Sequence, residues 1–155
     1  MSKYRIFIDT NVLIGAACFR KGILRDDSDF KAMNYIARRN DVVLYTSSFS
    51  VPQLAATLSN TRRNGKKSFT DDEIMAEING ILSKLNIADF GKRDIQKSIG
   101  NYKSKQLTKD LEDQLQFDLS QKVGCNFIMT NNLKDFRGFT NVYVFPPKKY
   151  SSVIL

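Results

Sequence analysis

The chain has 155 residues, 42% of them hydrophobic and 26% charged, which suits one folded domain over residues 1–155 and argues against a disordered chain. It carries 24 basic and 16 acidic residues, and the net charge of +8 favours a polyanionic partner such as nucleic acid, although basic proteins without such a partner are also common. The chain contains no histidine, which excludes histidine-activated nucleophiles, paired-histidine ribonuclease chemistry and histidine-ligated zinc.

Four short runs of β-branched and aromatic residues predict strands, with helical patterns between them. The predicted strands are residues 5–8, 42–45, 127–129 and 142–145. Strands that alternate with helices predict an α/β fold, in which a mostly parallel sheet is flanked by helices on both faces as a three-layer α/β/α arrangement. We expect the apolar tail, residues 153–155, to dock back onto this core.

Capping signals predict where the helices begin. The signals are Ser28 or Asp29 for a helix reaching about Arg39, Pro52 in the first turn of a second helix, Thr70 to Glu73 as a capping box, and Thr108 for a helix that Gly124 closes. The segment 62–67, between the second and third of these helices, is predicted to be a loop.

Two features of the sequence bear on the compartment. No apolar run approaches the roughly 18 residues that a membrane helix needs, and residues 1–5 lead directly into a predicted strand, so we expect no signal peptide. Cys18 and Cys125 lie in apolar contexts that favour buried thiols in a reducing compartment. The sequence therefore predicts a cytoplasmic protein.

Acidic residues lie where the predicted strands end, which is where open α/β sheets bind their ligands. These acids are Asp9 after the first strand, Asp135 one turn after the strand 127–129, and Asp110, Glu112 and Asp113 at the start of the preceding helix. Gathering like charges costs stability unless a cation offsets them, and carboxylate oxygens suit Mg²⁺ or Mn²⁺. The pattern indicates a metal site that needs no histidine.

Each acidic group also has a plainer interpretation. Asp9, with Thr10 and Asn11, has the residue types that cap a following helix. The acids at positions 110, 112 and 113 also complement a helix dipole. Asn131, Asn132 and Asp135 are typical of turns. Three such groups at strand ends are nevertheless harder to explain separately than together.

Three segments, in this order, resemble PIN-domain proteins, the nuclease family that includes VapC-type toxins. Residues 7–14, with Asp9 and Asn11, resemble the family's opening strand; residues 111–116, with Asp113, are similar to its later acidic helix start. Residues 124–136, with Thr130 and Asp135, are similar to its closing strand and acid. The segments span nearly the whole chain, and the family's domains have about this length.

The resemblance implies a twisted parallel sheet and a single-strand endoribonuclease that depends on Mg²⁺ or Mn²⁺. It implies RNA as the substrate, an antitoxin protein as a possible partner and a homodimer. Asp9, Asp113 and Asp135 match the family's catalytic metal-site acids. Asn11, Thr130 and Asn132 match residues that hold this site in shape through hydrogen bonds.

One position departs from the family pattern. The family usually has a glutamate at the start of the helix after its second strand, and Gln53 stands there. Three carboxylates instead of four should weaken metal binding, which favours an alternative function as a catalytically impaired module that binds RNA or a protein. Ser50 and Gln53 also have the spacing of a capping box, so Gln53 has a purely structural interpretation as well. Asp118 has two alternative interpretations: it joins the metal site, where it ranks behind Asp113, or it pairs with a lysine.

Basic residues are available to contact a substrate. They are Arg62, Arg63, Lys66 and Lys67 around Gly65, and Lys92, Arg93, Lys97, Lys103, Lys105 and Lys109 before the acidic helix, with Tyr102 among them. Lysine and arginine contact phosphates, and an aromatic ring can stack on a base. The alternative is that these residues simply form solvated surfaces.

Other α/β phosphotransfer proteins fit the sequence less well. A haloacid-dehalogenase-type phosphatase needs a second acid two residues after Asp9, where Asn11 stands. A receiver domain needs an acceptor aspartate after the strand 42–45, where Thr46 follows. No glycine-rich phosphate loop with lysine is present, which excludes a P-loop nucleotide hydrolase.

Overall fold

Five parallel strands form the centre of the structure, a computed structural model that describes residues 4–154. The strands are β1 (Tyr4–Ile8), β2 (Val42–Ser47), β5 (Asn86–Ala88), β6 (Phe127–Met129) and β7 (Tyr143–Phe145), and their order in the sheet is β5-β2-β1-β6-β7. Every neighbouring pair is parallel. The predicted α/β fold with a mostly parallel sheet is therefore confirmed, while β5, only three residues long, was not predicted.

Helices cover both faces of this sheet. They are α1 (Thr10–Arg20), α2 (Ser28–Ile36), α3 (Ser50–Asn60), α4 (Asp71–Lys84), α5 (Lys92–Lys105), α6 (Leu111–Lys122) and α7 (Tyr150–Val153). Because side chains alternate along a strand, Ile6 and Ile8 of β1 pack with α1 to α4, and Phe7 packs on the other face with α6. Helix α5 in turn packs against α6.

The predicted helix starts are partly confirmed. Thr70 and Glu73 form the capping box at the start of α4, and Gly124 adopts a φ of 68° after α6, as expected for the residue that ends a helix. The prediction that Thr108 caps α6 is wrong: Asp110 is the N-cap, and its carboxylate accepts from the Glu112 N–H at 2.8 Å. Helix α2 ends at Ile36 rather than near Arg39.

The segment predicted as a loop between α3 and α4 is instead a small hairpin of β3 (Arg62–Arg63) and β4 (Lys66–Lys67). Asn64 and Gly65 connect the strands, with φ values of 52° and 76°. Positive φ at both residues of a two-residue turn matches the twist of a hairpin, and Asn-Gly is the pair that adopts it most readily. The prediction missed the hairpin because its strands are short and entirely basic.

The predicted burial of the two cysteines and of the apolar tail is confirmed where the structure describes these residues. Cys18 and Cys125 are buried free thiols, and Ile154 is fully buried in the core that α1 to α4 form. Leu155 and residues 1–3, on which part of the tail prediction and of the signal-peptide prediction depends, lie outside the described residues. Within residues 4–154 no helix has the length and apolar character to cross a membrane.

Candidate active site

An open cavity of about 460 Å³ lies beyond the carboxyl ends of β1 and β6, between the first turns of α1, α3 and α6. We call it the acidic cavity. Its lining includes Asp9, Asp110, Glu112, Asp113 and Asp135, together with Gln53, Asn11, Asn132 and Lys109. The structure thus brings Asp9, Asp113 and Asp135, which are far apart in sequence, to one cavity at the sheet edge.

Asp9 is held in place by two side chains. Its Oδ2 accepts from Asn11 Nδ2 and from the Thr130 hydroxyl, both at 2.6 Å. Only 8% of Asp9 is exposed, and this burial, reinforced by repulsion from Glu112, raises its pKa even though the Thr130 hydrogen bond acts in the opposite direction. Asn11 and Thr130 therefore fix the Asp9 carboxylate while leaving its charge unbalanced.

A second pair fixes Asp135. Asn132 Nδ2 donates to Asp135 Oδ2, and the Asn132 N–H donates to the Thr130 hydroxyl oxygen at 2.9 Å. Thr130 consequently connects the residues that hold Asp9 with those that hold Asp135. These contacts put Asn11, Thr130 and Asn132 in the positions that the sequence led us to expect.

Gln53 points into the acidic cavity and binds a carboxylate. Its Nε2 donates to Glu112 Oε1 at 2.6 Å, and its Oε1 lies 3.0 Å from the Thr10 hydroxyl. The capping-box interpretation of Gln53 is wrong, because the Ser50 N–H donates to the Ser47 hydroxyl at 3.1 Å and the Gln53 N–H donates to the Phe49 carbonyl. Gln53 thus lines the cavity, and its side chain holds the Glu112 carboxylate in place.

The ionised form of Asp113 is disfavoured by its surroundings. Burial raises the pKa of its carboxyl to about 6, and the negative charges of Asp135, Asp9 and Asp110 add to the shift. One hydrogen bond, from the Thr108 hydroxyl at 3.4 Å, opposes it. A carboxyl that repels its neighbours in this way is a strong candidate for contact with a cation.

The donor set of the cavity suits a hard divalent ion. Within residues 4–154 no three acidic or cysteine side chains are gathered closely enough to hold one ion by themselves. Mg²⁺, however, commonly binds one or two carboxylates and completes its shell with water and substrate phosphate. The carboxylates, the amide oxygens and the open space of the cavity are the kinds of ligand that such an ion takes.

The tertiary structure shows where Asp118 and Glu112 lie relative to the cavity. Asp118 does not line the cavity: both its carboxylate oxygens accept from Asn101 Nδ2, at 3.2 and 3.1 Å, on the side of α6 that faces α5. The expectation that it joins the site or pairs with lysine is therefore wrong. Glu112 was not among the three site acids that the sequence predicted, although its place in the acidic helix start was a signal for it.

No family model matches this chain. Ribonuclease VapC1 of Aquifex aeolicus (strain VF5), however, is 30% identical over 132 residues, which cover 85% of this chain and 84% of that protein. The chain belongs to the VapC family of PIN-domain proteins. The predicted resemblance is confirmed.

Solved structures agree with this VapC assignment at the level of the fold. The VapBC2 structure from Rickettsia felis, bound to a promoter DNA fragment, is 18% identical with a TM-score of 0.65, and covers 92% of this chain and 98% of that chain. Mycobacterium tuberculosis VapC20, described as a sarcin–ricin loop cleaving toxin, is 17% identical with a TM-score of 0.55 over 79% of this chain and 86% of that chain. The parallel sheet with flanking helices is thus a VapC-type PIN fold.

Proposed function

We propose that this VapC-family protein is a cytoplasmic, metal-dependent endoribonuclease that cleaves single-stranded RNA, and that it is the toxin of a toxin–antitoxin pair. The observation that carries the proposal is the convergence of Asp9, Glu112, Asp113 and Asp135 on one open cavity in a strongly basic chain. The relative VapC1 bears the name ribonuclease, which supports the same substrate class.

We propose that Asp9, Asp113 and Asp135 serve Mg²⁺ or Mn²⁺ and act in catalysis, with one or two of them as direct ligands and the remainder acting through metal-bound water. Such an ion lowers the pKa of bound water and stabilises negative charge on a phosphate. Asn11 and Thr130 orient Asp9, and Asn132 orients Asp135, so that two carboxylates are in position before the substrate arrives. Preorganisation of this kind reduces the cost of reaching the transition state.

Glu112 bears on whether Gln53 impairs the site. Glu112 lines the cavity in addition to the three predicted acids. The uncharged Gln53 amide donates a hydrogen bond to the Glu112 carboxylate and does not cancel its negative charge. A fourth carboxylate is therefore present, supplied by α6 instead of α3. This arrangement favours an active enzyme over the impaired module that Gln53 alone suggested.

Lys109 supplies a positive charge at the same cavity. A lysine ammonium there attracts the phosphate backbone, which must approach the five carboxylates that line the cavity. The Tyr102 hydroxyl donates to the Lys109 carbonyl at 3.0 Å, so Tyr102 supports the backbone that carries this lysine. We propose this role for Tyr102 in place of the stacking on a base that the sequence suggested.

The test is cleavage of a mixed panel of single-stranded RNAs by the purified protein. We expect cleavage with Mn²⁺ or Mg²⁺, loss of cleavage with EDTA and its return when the ion is added in excess. Asp9→Asn should be inactive under all conditions, because an amide cannot supply the negative charge. Intact RNA across the panel with Mn²⁺ would refute the ribonuclease proposal.

The impaired module remains the second candidate, and the observation that favours it is Gln53 itself. A module of this kind would bind RNA or a protein without cutting and would show no response to metal. Structural neighbours such as VapBC2 of Rickettsia felis were solved as VapBC assemblies, so the protein partner that we propose is a VapB-like antitoxin. A homodimer stays a prediction that the solution mass of the protein would check.

The basic hairpin of β3 and β4 is the proposed contact for the RNA backbone. It follows α3, whose Gln53 and Thr57 line the acidic cavity. Its cations, Arg62, Arg63, Lys66 and Lys67, are exposed, and none forms an ion pair with an acid in the part of the chain that the structure describes. Exposed, unpaired cations of this kind suit sequence-independent phosphate contacts.

Replacing all four hairpin cations with glutamine should weaken RNA binding and reduce its salt dependence. Each phosphate contact to a single strand contributes about 0.7 to the slope of log K against log salt, so the slope should fall by up to about 2.8. Binding is measured with Asp9→Asn protein in EDTA over a salt series. The control replaces Arg25, Arg38, Lys148 and Lys149, which are exposed and do not line the cavity, and an equal fall in that variant would contradict a specific role.

A further inference from the structure

Asp29, in the first turn of α2, binds the loop that follows β6. Both oxygens of its carboxylate accept from Asn131 Nδ2, at 2.9 and 3.1 Å. Ser28 and Asp29, the residues that the sequence suggested as caps of α2, both lie within the helix, whose N-cap is Asp27. The contact of Asp29 is therefore with a distant part of the chain, and it fastens α2 to the edge of the sheet where the acidic cavity opens.

The loop that Asp29 binds also holds Asp9. The Asn131 N–H donates to Asn11 Oδ1 at 3.1 Å, and Asn11 Nδ2 in turn donates to Asp9 Oδ2. Asn131 directly follows Thr130, whose hydroxyl donates to the same Asp9 oxygen. Both side chains that fix the Asp9 carboxylate therefore depend on the position of Asn131. Asp29 sets that position without lining the acidic cavity itself.

Helix α1 leaves room for the Asp29 carboxylate at Gly15. A Cβ at Gly15 would lie 1.7 Å from Asp29 Oδ2 and 2.7 Å from its Cγ, so any other residue at this position would displace the carboxylate. Gly15 is buried in the middle of α1, where glycine stabilises a helix less than alanine does. The close approach of α2 to α1 at Asp29 therefore requires glycine here.

Stability of the fold does not by itself explain a carboxylate at this position. Asp29 is half-buried, and no lysine or arginine forms an ion pair with it within residues 4–154. Burial raises the pKa of its carboxyl, and the hydrogen bond from Asn131 opposes this shift. An acid can also complement the dipole of a helix, but Asp27 at the N-cap already supplies a negative charge to this end of α2.

We infer that Asp29 is a positioning residue of the active site, which acts through Asn131 and Asn11 to hold the Asp9 carboxylate in the orientation that catalysis requires. The inference rests on the proposed function. Groups that orient a metal-site carboxylate through hydrogen bonds typically change metal affinity or activity by about 10- to 100-fold. Asp29 acts from α2, a helix that the structure describes throughout and that lines no part of the acidic cavity.

The first test measures kcat and KM for cleavage of a single-stranded RNA in Mn²⁺. Asp29→Ala should lower kcat about tenfold or more and leave KM for RNA within about twofold, since Asp29 lies outside the cavity. The reversed pair, Asp29→Asn with Asn131→Asp, restores a hydrogen bond in the opposite sense and should recover most of kcat. Asp27→Ala is the control, because Asp27 pairs with Lys31 at the same end of α2, and it should keep the wild-type kcat.

Gly15→Ala tests the same contact without removing either of its polar groups. The added methyl group should turn the Asp29 carboxylate away from Asn131 and lower kcat about as far as Asp29→Ala does. Because both changes break one contact, Gly15→Ala combined with Asp29→Ala should be no slower than either alone. The control is Gly80→Ala in α4, where a Cβ meets no other part of the described chain within 4 Å; it gains the same helix propensity and should leave kcat unchanged.

Hydrogen exchange of the Asn131 N–H, measured in EDTA, reports this positioning without metal or cleavage. In the wild-type protein the N–H donates to Asn11, so it should exchange about tenfold more slowly than in Asp29→Ala. The reversed pair should restore the slow exchange. The Ile128 N–H in β6 should keep its protection in every variant, which shows that the change is local and that the variants are folded.

The outcomes separate this inference from the proposed function. A loss of kcat that the reversed pair restores, with faster Asn131 exchange in Asp29→Ala, supports both. Cleavage by Asp29→Ala at the wild-type kcat overturns the inference and leaves the ribonuclease intact. No cleavage by the wild-type protein, with faster exchange in Asp29→Ala that the reversed pair slows again, removes the ribonuclease and retains the positioning of Asp9. Unchanged exchange in Asp29→Ala, an equal loss of kcat in Asp27→Ala, or a loss that the reversed pair does not restore and Gly15→Ala does not share overturns the inference.

Discussion

Asp113→Asn should abolish RNA cleavage and at the same time make the metal-free protein more stable. Asp113 is a proposed metal ligand, and loss of such a carboxylate removes several kcal/mol of transition-state stabilisation, which corresponds to about 10³-fold in rate. The pKa of Asp113, raised to about 6, means that its ionised form is disfavoured in the folded protein. Asparagine has no charge to be disfavoured.

The sign of the pH effect follows from the raised pKa. Between about pH 4 and pH 6 the folded protein holds a proton on Asp113 that the unfolded chain has already released, so the contribution of Asp113 to the free energy of unfolding falls as the pH rises. Above about pH 6 the full cost is present. Asp113→Asn should therefore match the wild-type protein near pH 4 and exceed it near pH 7 by on the order of 2 kcal/mol.

Denaturant titrations in EDTA at the two pH values, paired with cleavage assays in Mn²⁺, measure both effects. Asp118→Asn is the matched control, because Asp118 lies on the same helix but pairs with Asn101 outside the cavity, and it should leave cleavage unchanged. An Asp113→Asn protein that is less stable than wild type near pH 7, or that still cuts RNA at the wild-type rate, would contradict the electrostatic account of the site.

Gln53→Glu should destabilise the metal-free protein strongly and make its stability depend on metal. The Gln53 amide donates to Glu112 at 2.6 Å, and a glutamate would replace that donor with a second carboxylate oxygen. A hydrogen bond to a charged group contributes about 1.5–3 kcal/mol, and like charges at this distance force one carboxyl to take up a proton. We expect a loss of about 3 kcal/mol in EDTA.

Metal should reverse most of this loss, because an ion that binds only the folded state stabilises it by an amount that grows with the logarithm of the ion concentration divided by Kd. Unfolding free energies of wild type and Gln53→Glu are compared with and without Mn²⁺. Gln53→Met controls for loss of the hydrogen bond without an added charge. The double variant Gln53→Glu with Glu112→Gln restores a carboxylate–amide pair in the opposite sense and should recover stability in EDTA.

Cleavage by the same variants tests whether the native site is impaired. If the wild-type protein is a complete enzyme with Glu112 as its fourth carboxylate, Gln53→Glu should not increase the cleavage rate. An increase would show that glutamine had weakened the site, as the departure from the family pattern first suggested. Unchanged stability of Gln53→Glu in EDTA would show that the contact with Glu112 has little energetic weight.

Several features of this protein followed from local sequence. Short continuous apolar runs predicted four of the five strands of the sheet, because a strand that is buried on both faces requires consecutive β-branched and aromatic residues. Asp9 and Asp135 were predicted at the cavity because the carboxyl ends of parallel strands meet at one edge. The capping box of α4 was predicted since it depends only on residues three positions apart.

Other features depend on how helices distant in sequence are rotated against one another. Gln53 and Glu112 are 59 positions apart, and their contact exists because α3 and α6 turn these faces toward the same cavity. Asp113 and Asp118 have the same chemistry on one helix, and only its orientation places the first in the cavity and the second against α5.

The sequence by itself therefore determined the fold class, the family resemblance and the acids at the strand ends, because these arise from short-range periodicity and chain order. The tertiary structure alone decided that Gln53 binds Glu112, that Asp118 lies outside the site and that Asp29 binds Asn131. Those three outcomes depend on packing between separate elements. The angle at which two helices meet cannot be predicted from the local sequence of either helix.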